Sequence, residues 1–206
     1  MSLYSKYILP NLINFACKQS SLSKQREKVI PLAQGNVLEV GVGTGLNLPF
    51  YDSSKISKLT AIDPSEETWE KRSVDINQLP FDFQFIKTSG EALPFTDNSF
   101  DSIVITYALC TIPDTEKALK EMSRILKKDG ILIFCEHGAA PDINVRSTQD
   151  MINPFWKPLS GGCNLNRNIP EIIESSGFIF QKLDKMYIPG FKFFSYNYWG
   201  TAKKTS

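Results

Sequence analysis

A chain of 206 residues is long enough for one α/β domain with a full hydrophobic core and leaves little room for a second domain. Hydrophobic residues make up 42% and charged residues 22%, which is typical of soluble globular proteins and excludes the disordered and membrane-spanning classes. Because 23 Lys and Arg residues balance 22 Asp and Glu residues, no net field attracts a phosphate backbone, and we expect no nucleic-acid partner.

The first 34 residues are predicted to form two short helices, one within residues 7–17 and one within residues 24–32. Pro10, Asn11 and Asn14 interrupt the first apolar stretch and no small-residue cleavage site follows, so we predict neither a signal peptide nor a membrane span. We expect this segment to close over a ligand as a lid, with peripheral contact to a membrane surface as the alternative. The apolar face of the first helix comprises Leu9, Leu12, Ile13 and Ala16.

Short apolar runs alternate with helical patterns in the middle of the chain. The predicted buried strands are 36–40, 59–63, 83–87, 102–106 and 131–136. The clearest helix spans 114–127, with Gly130 as its stop signal. This alternation predicts a Rossmann-like, doubly wound α/β fold with a mostly parallel sheet. Ligands of such sheets bind beyond the carboxyl ends of the strands.

The last part of the chain predicts a helix over 171–176 that ends at Gly177, followed by two β-rich runs at 178–188 and 191–202. Since no helix is predicted between these runs, we expect them to pair antiparallel at the sheet edge. We therefore predict a single domain, in which residues 1–34 form the lid, 35–137 the cofactor-binding core and 138–206 the acceptor-side region with the C-terminal hairpin.

The segment VLEVGVGTGLNLPF places Gly41, Gly43 and Gly45 after the first predicted strand and before a predicted helix. Glycines there permit a tight turn and let a ligand lie against bare backbone. A dinucleotide site would show G-x-G-x-x-G, but here the third glycine comes one position early and Leu46 occupies the expected place. No G-x-x-x-x-G-K-[ST] loop is present, so the pattern favours neither a dinucleotide nor a nucleoside triphosphate.

Two acidic residues flank this turn. Asp63 ends the second predicted strand, 63 − 41 = 22 residues after Gly41, close to the roughly 20 residues typical of a ribose-binding acid. Glu39 precedes the first glycine by two residues and would repel a pyrophosphate, whereas it suits the cationic ammonium and sulfonium of S-adenosylmethionine. The residues therefore predict S-adenosylmethionine as the cofactor.

Four segments together, VLEVGVGTG, AIDPS, SGEALPF with NSFDSIV, and EMSRILKKDGILIF, resemble class I S-adenosylmethionine-dependent methyltransferases over residues 36–134. Four further segments, TYALCTIPD, FCEHGAAPD, NPFWKPLSGGCNLNR and SYNYWGTA, are similar to a narrower group. That group comprises small bacterial methyltransferases related to the membrane-associated alkyl thiol methyltransferases of animals, and the likeness covers nearly the whole chain. These motifs are specific for the cofactor and much less so for the acceptor.

The resemblance implies roles for individual residues. The three glycines would lie beneath the methionine part of the cofactor, Glu39 near its amino group and Asp63 at its ribose. Many relatives carry an Asp-Ala pair whose acid reaches the adenine amino group, but here Ser89 and Gly90 stand in its place, followed by Glu91. The other residues expected at the cofactor are Val42, Thr44, Asn47 and Pro64, with Thr106 and Tyr107 beside the transferable methyl group.

His137 is the only histidine and is predicted just past the fifth strand, on the rim where an acceptor arrives. It is expected either to deprotonate the acceptor nucleophile or to serve a structural hydrogen bond. Four scattered cysteines without a C-x-x-C pair predict reduced thiols in a cytoplasmic protein and no metal site. Those near the rim are expected to be small buried hydrophobes rather than nucleophiles, namely Cys110, Cys135 and Cys163.

The predicted function is in-line methyl transfer from S-adenosylmethionine to a small-molecule acceptor. The acceptor candidates are a thiol, a lipid amine or quinone, and another small metabolite. The N-P-P-[YF] signature of amino methylation is absent after the fourth strand, where TYALC stands, which disfavours nucleic-acid bases. A module that binds the cofactor without catalysis is the competing hypothesis from another class, and the sequence does not indicate an oligomeric state.

Overall fold

A seven-stranded sheet forms the centre of the fold in a computed structural model that describes residues 9, 11, 14 and 17–205. Strands β1 to β5 run parallel to one another, and β7 joins β5 antiparallel. The hairpin of β6 and β7 closes one edge, so the predicted mostly parallel sheet with an antiparallel edge hairpin is confirmed. The strands lie side by side in the order β3-β2-β1-β4-β5-β7-β6. In chain order their ranges are β1 (Gly35–Val40), β2 (Ile56–Asp63), β3 (Asp82–Lys87), β4 (Phe100–Thr106), β5 (Leu126–His137), β6 (Phe178–Tyr187) and β7 (Tyr196–Lys204).

Apolar clusters cover both faces of the sheet, because alternate residues of each buried strand point to opposite sides. Leu38 and Ile103 belong to one cluster, while Val37 and Val104 belong to the other. The α-helices are α1 (Ser20–Val29), α2 (Glu66–Trp69), α3 (Thr115–Ile125), α4 (Ile143–Leu159), α5 (Ile169–Ser175) and α6 (Lys192–Ser195), with single 3₁₀ turns at Ile30–Leu32, Leu48–Phe50 and Ile76–Gln78.

Helix α3 matches the strongest helical pattern in the sequence but ends earlier than predicted. Its buried face packs on one side of the sheet, and Asp114 caps it by accepting a hydrogen bond from the Lys117 N–H at 3.0 Å. Leu126 turns to extended backbone and pairs with β4, so β5 begins where the last helical turn was expected. Gly130 is therefore not a helix stop and lies within β5, where the register with β4 shifts.

The glycine turn does not open an α-helix, so that part of the prediction is wrong. After Gly45 the chain makes only the 3₁₀ turn Leu48–Phe50 and becomes extended at Tyr51. The buried hydroxyl of Tyr51 donates to Glu39 Oε2 at 2.8 Å, which draws the chain back against β1 after a single turn.

The C-terminal region has three features that bear on the predictions. The helix predicted over 171–176 is confirmed as α5, which ends before Gly177 at a φ of 87°. The two predicted β runs are confirmed as β6 and β7, although the one-turn helix α6 occupies the start of the second run. Helix α4 was not predicted because Pro154 and Pro158, which normally break helices, lie inside it.

The N-terminal segment is helical at each of its described positions, Leu9, Asn11, Asn14 and Cys17. Most of the predicted apolar face, at positions 12, 13 and 16, lies outside the described residues. The second predicted helix is confirmed as α1, which begins at Ser20 and packs against β5 and β7. Among the described residues, no helix combines the length and apolar character that crossing a membrane requires.

Candidate active site

A cavity of about 350 Å³ opens beyond the carboxyl ends of β1, β2 and β4, where the sequence predicted the site. Glu39, Gly45 and His137 were also predicted as site residues, but they are not among the residues that line it. The other predicted residues do line the cavity: Gly41, Val42, Gly43, Thr44, Asn47, Asp63, Pro64, Ser89, Gly90, Glu91, Thr106 and Tyr107. The fold therefore brings these twelve together, and their contacts with the cofactor stay a prediction.

The three glycines of the turn all have positive φ, but their surroundings differ. A Cβ atom at Gly41 would lie 2.6 Å from Ala108 Cβ, so this glycine permits the close approach of β1 to the loop after β4. A Cβ atom at Gly43 would meet nothing within 4 Å, because this residue faces the open cavity. At Gly45 the nearest atom would be Leu48 Cδ1 at 2.9 Å, so this glycine permits close packing against the following 3₁₀ turn.

Asp63 ends β2 and holds the turn in place. Its Oδ2 accepts from the Gly43 N–H and its Oδ1 from the Ser65 N–H, each at 2.9 Å. Burial raises the pKa of this carboxyl, against the hydrogen bonds from the two backbone amides. Each carboxylate oxygen keeps a second acceptor position, so the predicted contact with ribose hydroxyls is compatible with these bonds.

Glu39 is fully buried beneath the turn. Asn47 Nδ2 donates to its Oε1 at 2.9 Å and to Thr106 Oγ1 at 2.9 Å, while the Tyr51 hydroxyl donates to Oε2. Burial raises the pKa of Glu39 to about 7, although the hydrogen bonds from Tyr51 and Asn47 oppose this shift. In the described geometry Glu39 positions Asn47, which does line the cavity. The predicted contact of Glu39 with the cofactor amino group stays a prediction.

The free energy of unfolding, measured at several pH values, tests the burial of Glu39. Because the folded pKa of Glu39 lies above its ordinary value of 4.5, its stabilising contribution is complete below about pH 4.5 and is lost as pH rises to about 7. In the cofactor-free protein, we expect the unfolding free energy of Glu39→Gln to fall by about 3 kcal/mol less than that of wild type over this pH range. Glu136, whose pKa is also raised to about 7, titrates in both proteins and cancels in the difference. Parallel urea-unfolding curves for wild type and variant between pH 4.5 and 8 would contradict the buried acid.

The far side of the cavity is formed by the loop after β3. Ser89, Gly90 and Glu91, which the family resemblance predicts at the adenine, line this side. Glu91 Oε1 accepts from the Asp114 N–H at 3.2 Å, which ties this loop to the start of α3. Glu91 is the acidic residue closest in sequence to Ser89 and Gly90, which stand in place of the Asp-Ala pair.

The N-terminal segment covers the remaining side of the cavity through Asn14, Cys17 and Arg26. The Thr44 hydroxyl donates to Asn14 Oδ1 at 2.8 Å, which joins this segment to the glycine turn. These contacts are compatible with the predicted lid. Arg26 lies with its Cζ atom 5.0 Å from the centroid of the Tyr107 ring, and its Nη1 donates to the Cys17 carbonyl at 2.9 Å. Sequence reasoning missed Arg26, since a single arginine in a polar helix carries no recognisable spacing.

The loop after β4 is held in an unusual conformation beside the cavity. Tyr107 has a φ of 52°, which is uncommon for a residue with a side chain, and its hydroxyl donates to Asn197 Oδ1 at 2.8 Å. The buried Glu136 Oε1 accepts from the Ala108 and Leu109 N–H groups at 2.8 and 2.9 Å. These bonds fix the backbone of this loop beside the cavity.

His137 is the last residue of β5 and lies on the predicted rim, but its nearest polar partner is a cysteine. Its Nε2 lies 3.2 Å from Cys163 Sγ, and Cys110 completes the group. A hydrogen bond from Cys110 lowers the pKa of Cys163 to about 4, and the charge of His137 adds to this effect against burial. Burial disfavours the imidazolium, yet the charge and hydrogen bond of Cys163 raise the pKa of His137 above its usual value. Cys163 is thus half-buried beside two groups that lower the pKa of its thiol, whereas the sequence predicted an inert buried thiol.

Cys135 behaves as the sequence predicted. It is fully buried, and its thiol donates weakly to the Tyr107 hydroxyl at 3.4 Å. Burial raises its pKa to about 12. All four cysteines, Cys17 included, are free thiols in the structure.

The known proteins that are similar to this chain are methyltransferases, and they are named for different acceptors. A family model described as a methyltransferase domain matches residues 38–134. Human thiol S-methyltransferase TMT1A is 32% identical over 177 residues, which cover 84% of this chain and 71% of that protein. A phosphatidylethanolamine N-methyltransferase of Cereibacter sphaeroides is 33% identical over 107 residues, 51% of this chain and 52% of its own length.

Among solved structures, a SAM-dependent methyltransferase from Aquifex aeolicus superposes with a TM-score of 0.67 at 21% identity, covering 95% of this chain and 98% of its own. This likeness supports the fold alone. The cavity fits the cofactor, since it combines a bare backbone at Gly43, a carboxylate at Asp63 and the neutral strand end at Thr106. The chain belongs to the class I S-adenosylmethionine-dependent methyltransferases and is an enzyme of that class.

Proposed function

We propose that this enzyme methylates the sulfur of a small apolar thiol. The bound cofactor supplies a methyl group on a positively charged sulfur. The glycine turn and Asp63 hold the cofactor, while Thr106 and Tyr107 at the end of β4 lie beside the reacting groups. The protein contributes mainly alignment of the acceptor and exclusion of water.

The observation that carries this proposal is the position of Arg26. Of the described residues that line the cavity, it is the one with a positive charge, and it lies over Tyr107 at the acceptor end. The described acids of the lining are Asp63, the last residue of β2, and Glu91, in the loop after β3, and both lie at the proposed cofactor end. The Arg26 side chain is 3% exposed, and its Nε has no hydrogen-bond partner among the described residues. A buried guanidinium of this kind favours an anionic acceptor.

The energies of ionisation and of charge attraction favour a thiolate acceptor beside Arg26. Ionising a thiol of pKa about 8.5 at pH 7 costs about 2 kcal/mol. A guanidinium at about 4 Å gains about 4 kcal/mol with a negative charge at an effective dielectric constant of 20. A neutral amine, which is the form that attacks the methyl group, gains no such attraction. The 32% sequence identity with human thiol S-methyltransferase TMT1A supports the same acceptor class.

A lipid amine is the second candidate. The Cereibacter sphaeroides relative is named for phosphatidylethanolamine, and α4 exposes Met151, Phe155 and Leu159 at helical spacing. Such a strip suits the surface of a bilayer that presents lipid acceptors. The quinone and small-metabolite alternatives have no comparable feature among the described residues.

An acceptor panel separates these candidates. The purified enzyme is incubated with methyl-labelled S-adenosylmethionine and, in separate reactions, an alkanethiol, phosphatidylethanolamine vesicles, a quinone and a phenol. We expect kcat/KM to be highest for the alkanethiol. A higher kcat/KM for vesicle-bound phosphatidylethanolamine would replace the thiol proposal with the lipid one.

Arg26→Leu tests the electrostatic argument. With a thiol acceptor at pH 7, we expect kcat/KM to fall about 10²- to 10³-fold, as the loss of about 4 kcal/mol allows. The deficit should shrink as pH rises and the thiol ionises unaided, and Arg26→Lys should restore part of the rate. Arg146→Leu removes an exposed arginine of α4 and should leave the pH profile unchanged. A profile of Arg26→Leu parallel to that of wild type would contradict the proposed role.

A further inference from the structure

Three soft metal-binding groups converge beside the cavity from separate parts of the chain. Cys110 follows β4, His137 ends β5 and Cys163 lies in the loop after α4, so the residues are 27 and 26 positions apart in sequence. Their two Sγ atoms and one imidazole nitrogen all lie within 4.8 Å of one another, with His137 Nε2 at 3.2 Å from Cys163 Sγ. The proposed transfer to a thiol assigns no direct role to this cluster.

We propose that Cys110, His137 and Cys163 bind a zinc ion and leave its fourth coordination position open to the sulfur of the acceptor. Zn–S bonds of about 2.3 Å and Zn–N bonds of about 2.0–2.1 Å in a tetrahedron place sulfur and nitrogen about 3.5 Å apart and two sulfurs about 3.8 Å apart. His137 Nε2 and Cys163 Sγ, 3.2 Å apart, are close to this spacing, and all three ligand atoms already lie within 4.8 Å of one another. Thiolate and imidazole ligands select zinc over magnesium or calcium.

The backbone around the cluster is fixed in advance. The Asn164 N–H and its Nδ2 both donate to the Cys110 carbonyl, at 2.8 and 2.9 Å, which joins the two cysteine loops. Arg167 Nη1 donates to the carbonyls of Leu109 and Ile112 on either side of Cys110. A ligand set held by such supporting bonds binds a metal without large rearrangement.

The number of ligands and their location point to a role in the reaction. Structural zinc sites are closed by four protein ligands, whereas sites with three protein ligands keep a position for water or substrate. Thr111, next to Cys110, and Gly161, two residues before Cys163, both line the cavity. The three ligands do not themselves line the cavity, so the cluster lies directly behind the wall to which Thr111 and Gly161 contribute.

The role of the fourth position deepens the proposed function and rests on the thiol acceptor, whereas the metal site itself does not. An acceptor thiol that binds the ion loses its proton to solvent and becomes a thiolate. In the transfer its sulfur forms a bond to the methyl carbon, and the bond from that carbon to the sulfonium breaks with the electron pair staying on the cofactor sulfur. The neutral thioether is a weaker ligand and leaves.

Metal binding is measurable without turnover. The full-length protein, prepared without a metal-binding tag and under reducing conditions, is titrated with Zn²⁺ against a chromophoric chelator and with Co²⁺ by absorbance. We expect one ion per chain and a thiolate-to-cobalt charge-transfer band. Cys163→Ser, Cys110→Ser and His137→Gln should each weaken Zn²⁺ binding at least tenfold, while Cys135→Ala, which removes a buried cysteine outside the cluster, should retain it.

Alkylation of the wild-type protein gives a readout that does not depend on the folding of variants. Zn²⁺ should protect the half-buried Cys163 from N-ethylmaleimide, with Cys17 labelled equally in both states. Addition of an alkanethiol to the Co²⁺ protein should shift its band. Failure to bind Zn²⁺, or equal binding by Cys163→Ser, would overturn the site. A Co²⁺ band insensitive to every alkanethiol would overturn the acceptor role, even where the panel shows thiol methylation.

Discussion

Asp63→Ala should weaken the binding of S-adenosylmethionine by about 10²- to 10⁴-fold. The carboxylate is predicted to accept hydrogen bonds from the ribose hydroxyls, and each charge-assisted bond contributes roughly 1.5–3 kcal/mol. Asp63 also accepts from the Gly43 and Ser65 N–H groups, so its loss should loosen the turn that is predicted to carry the methionine part of the cofactor. Both effects act on the dissociation constant, which isothermal titration calorimetry measures for the cofactor and its demethylated product.

Two variants sharpen this test. Asp63→Asn keeps one acceptor oxygen and should lose less affinity than Asp63→Ala. Asp82→Ala removes an exposed carboxylate at the opposite end of the sheet, where β3 begins, and should bind the cofactor as wild type does. Unchanged affinity in Asp63→Ala would mean that the ribose is held by other residues.

The glycine turn gives the second large effect, through a comparison of Gly41→Ala with Gly43→Ala. At both positions alanine must adopt positive φ, which costs about 1–2 kcal/mol. At Gly41 the new methyl group would also lie 2.6 Å from Ala108 Cβ, and such overpacking costs about 1–3 kcal/mol more. We therefore expect Gly41→Ala to lose about 2–5 kcal/mol of unfolding free energy, a large part of a typical total.

Gly43→Ala should separate stability from binding. Its methyl group meets no atom within 4 Å and projects toward the cavity, so the fold loses only the backbone term while cofactor affinity falls. Urea unfolding of the cofactor-free proteins and calorimetric titration of the cofactor measure the two quantities. Ala108→Gly in the Gly41→Ala background should recover the steric part of the loss. Equal destabilisation by Gly41→Ala and Gly43→Ala would contradict the described packing.

The sheet was predictable because its central strands are buried on both faces and therefore read as short apolar runs. Helix α3 was predictable because it buries one face at helical spacing. The errors arise where tertiary contacts override local signals. Leu126 leaves the helix to pair with β4, Tyr51 anchors the chain to Glu39 after the glycine turn, and α4 accommodates two prolines. No local pattern carries that information.

The candidate site likewise contains residues that the sequence predicts and residues that it does not. The glycine turn and Asp63 have fixed spacing in sequence because they belong to one strand-turn-strand unit, so a motif finds them. Arg26 reaches the cavity from α1, and Cys163 reaches His137 from a loop 26 residues later. The absence of a C-x-x-C pair indicated no metal site, whereas the fold brings Cys110, His137 and Cys163 together from distant segments. Only the topology makes these groups neighbours.

One measurement tests the central proposal most directly. The enzyme is incubated with S-adenosylmethionine that carries a trideuterated methyl group and with an alkanethiol, and the products are identified by mass spectrometry. We predict an S-trideuteromethyl thioether formed in equal amount to the demethylated cofactor, and loss of both products in Asp63→Ala. Demethylated cofactor without a thioether, or label found only on nitrogen, oxygen or carbon acceptors in a parallel panel, would contradict the assignment of a thiol acceptor.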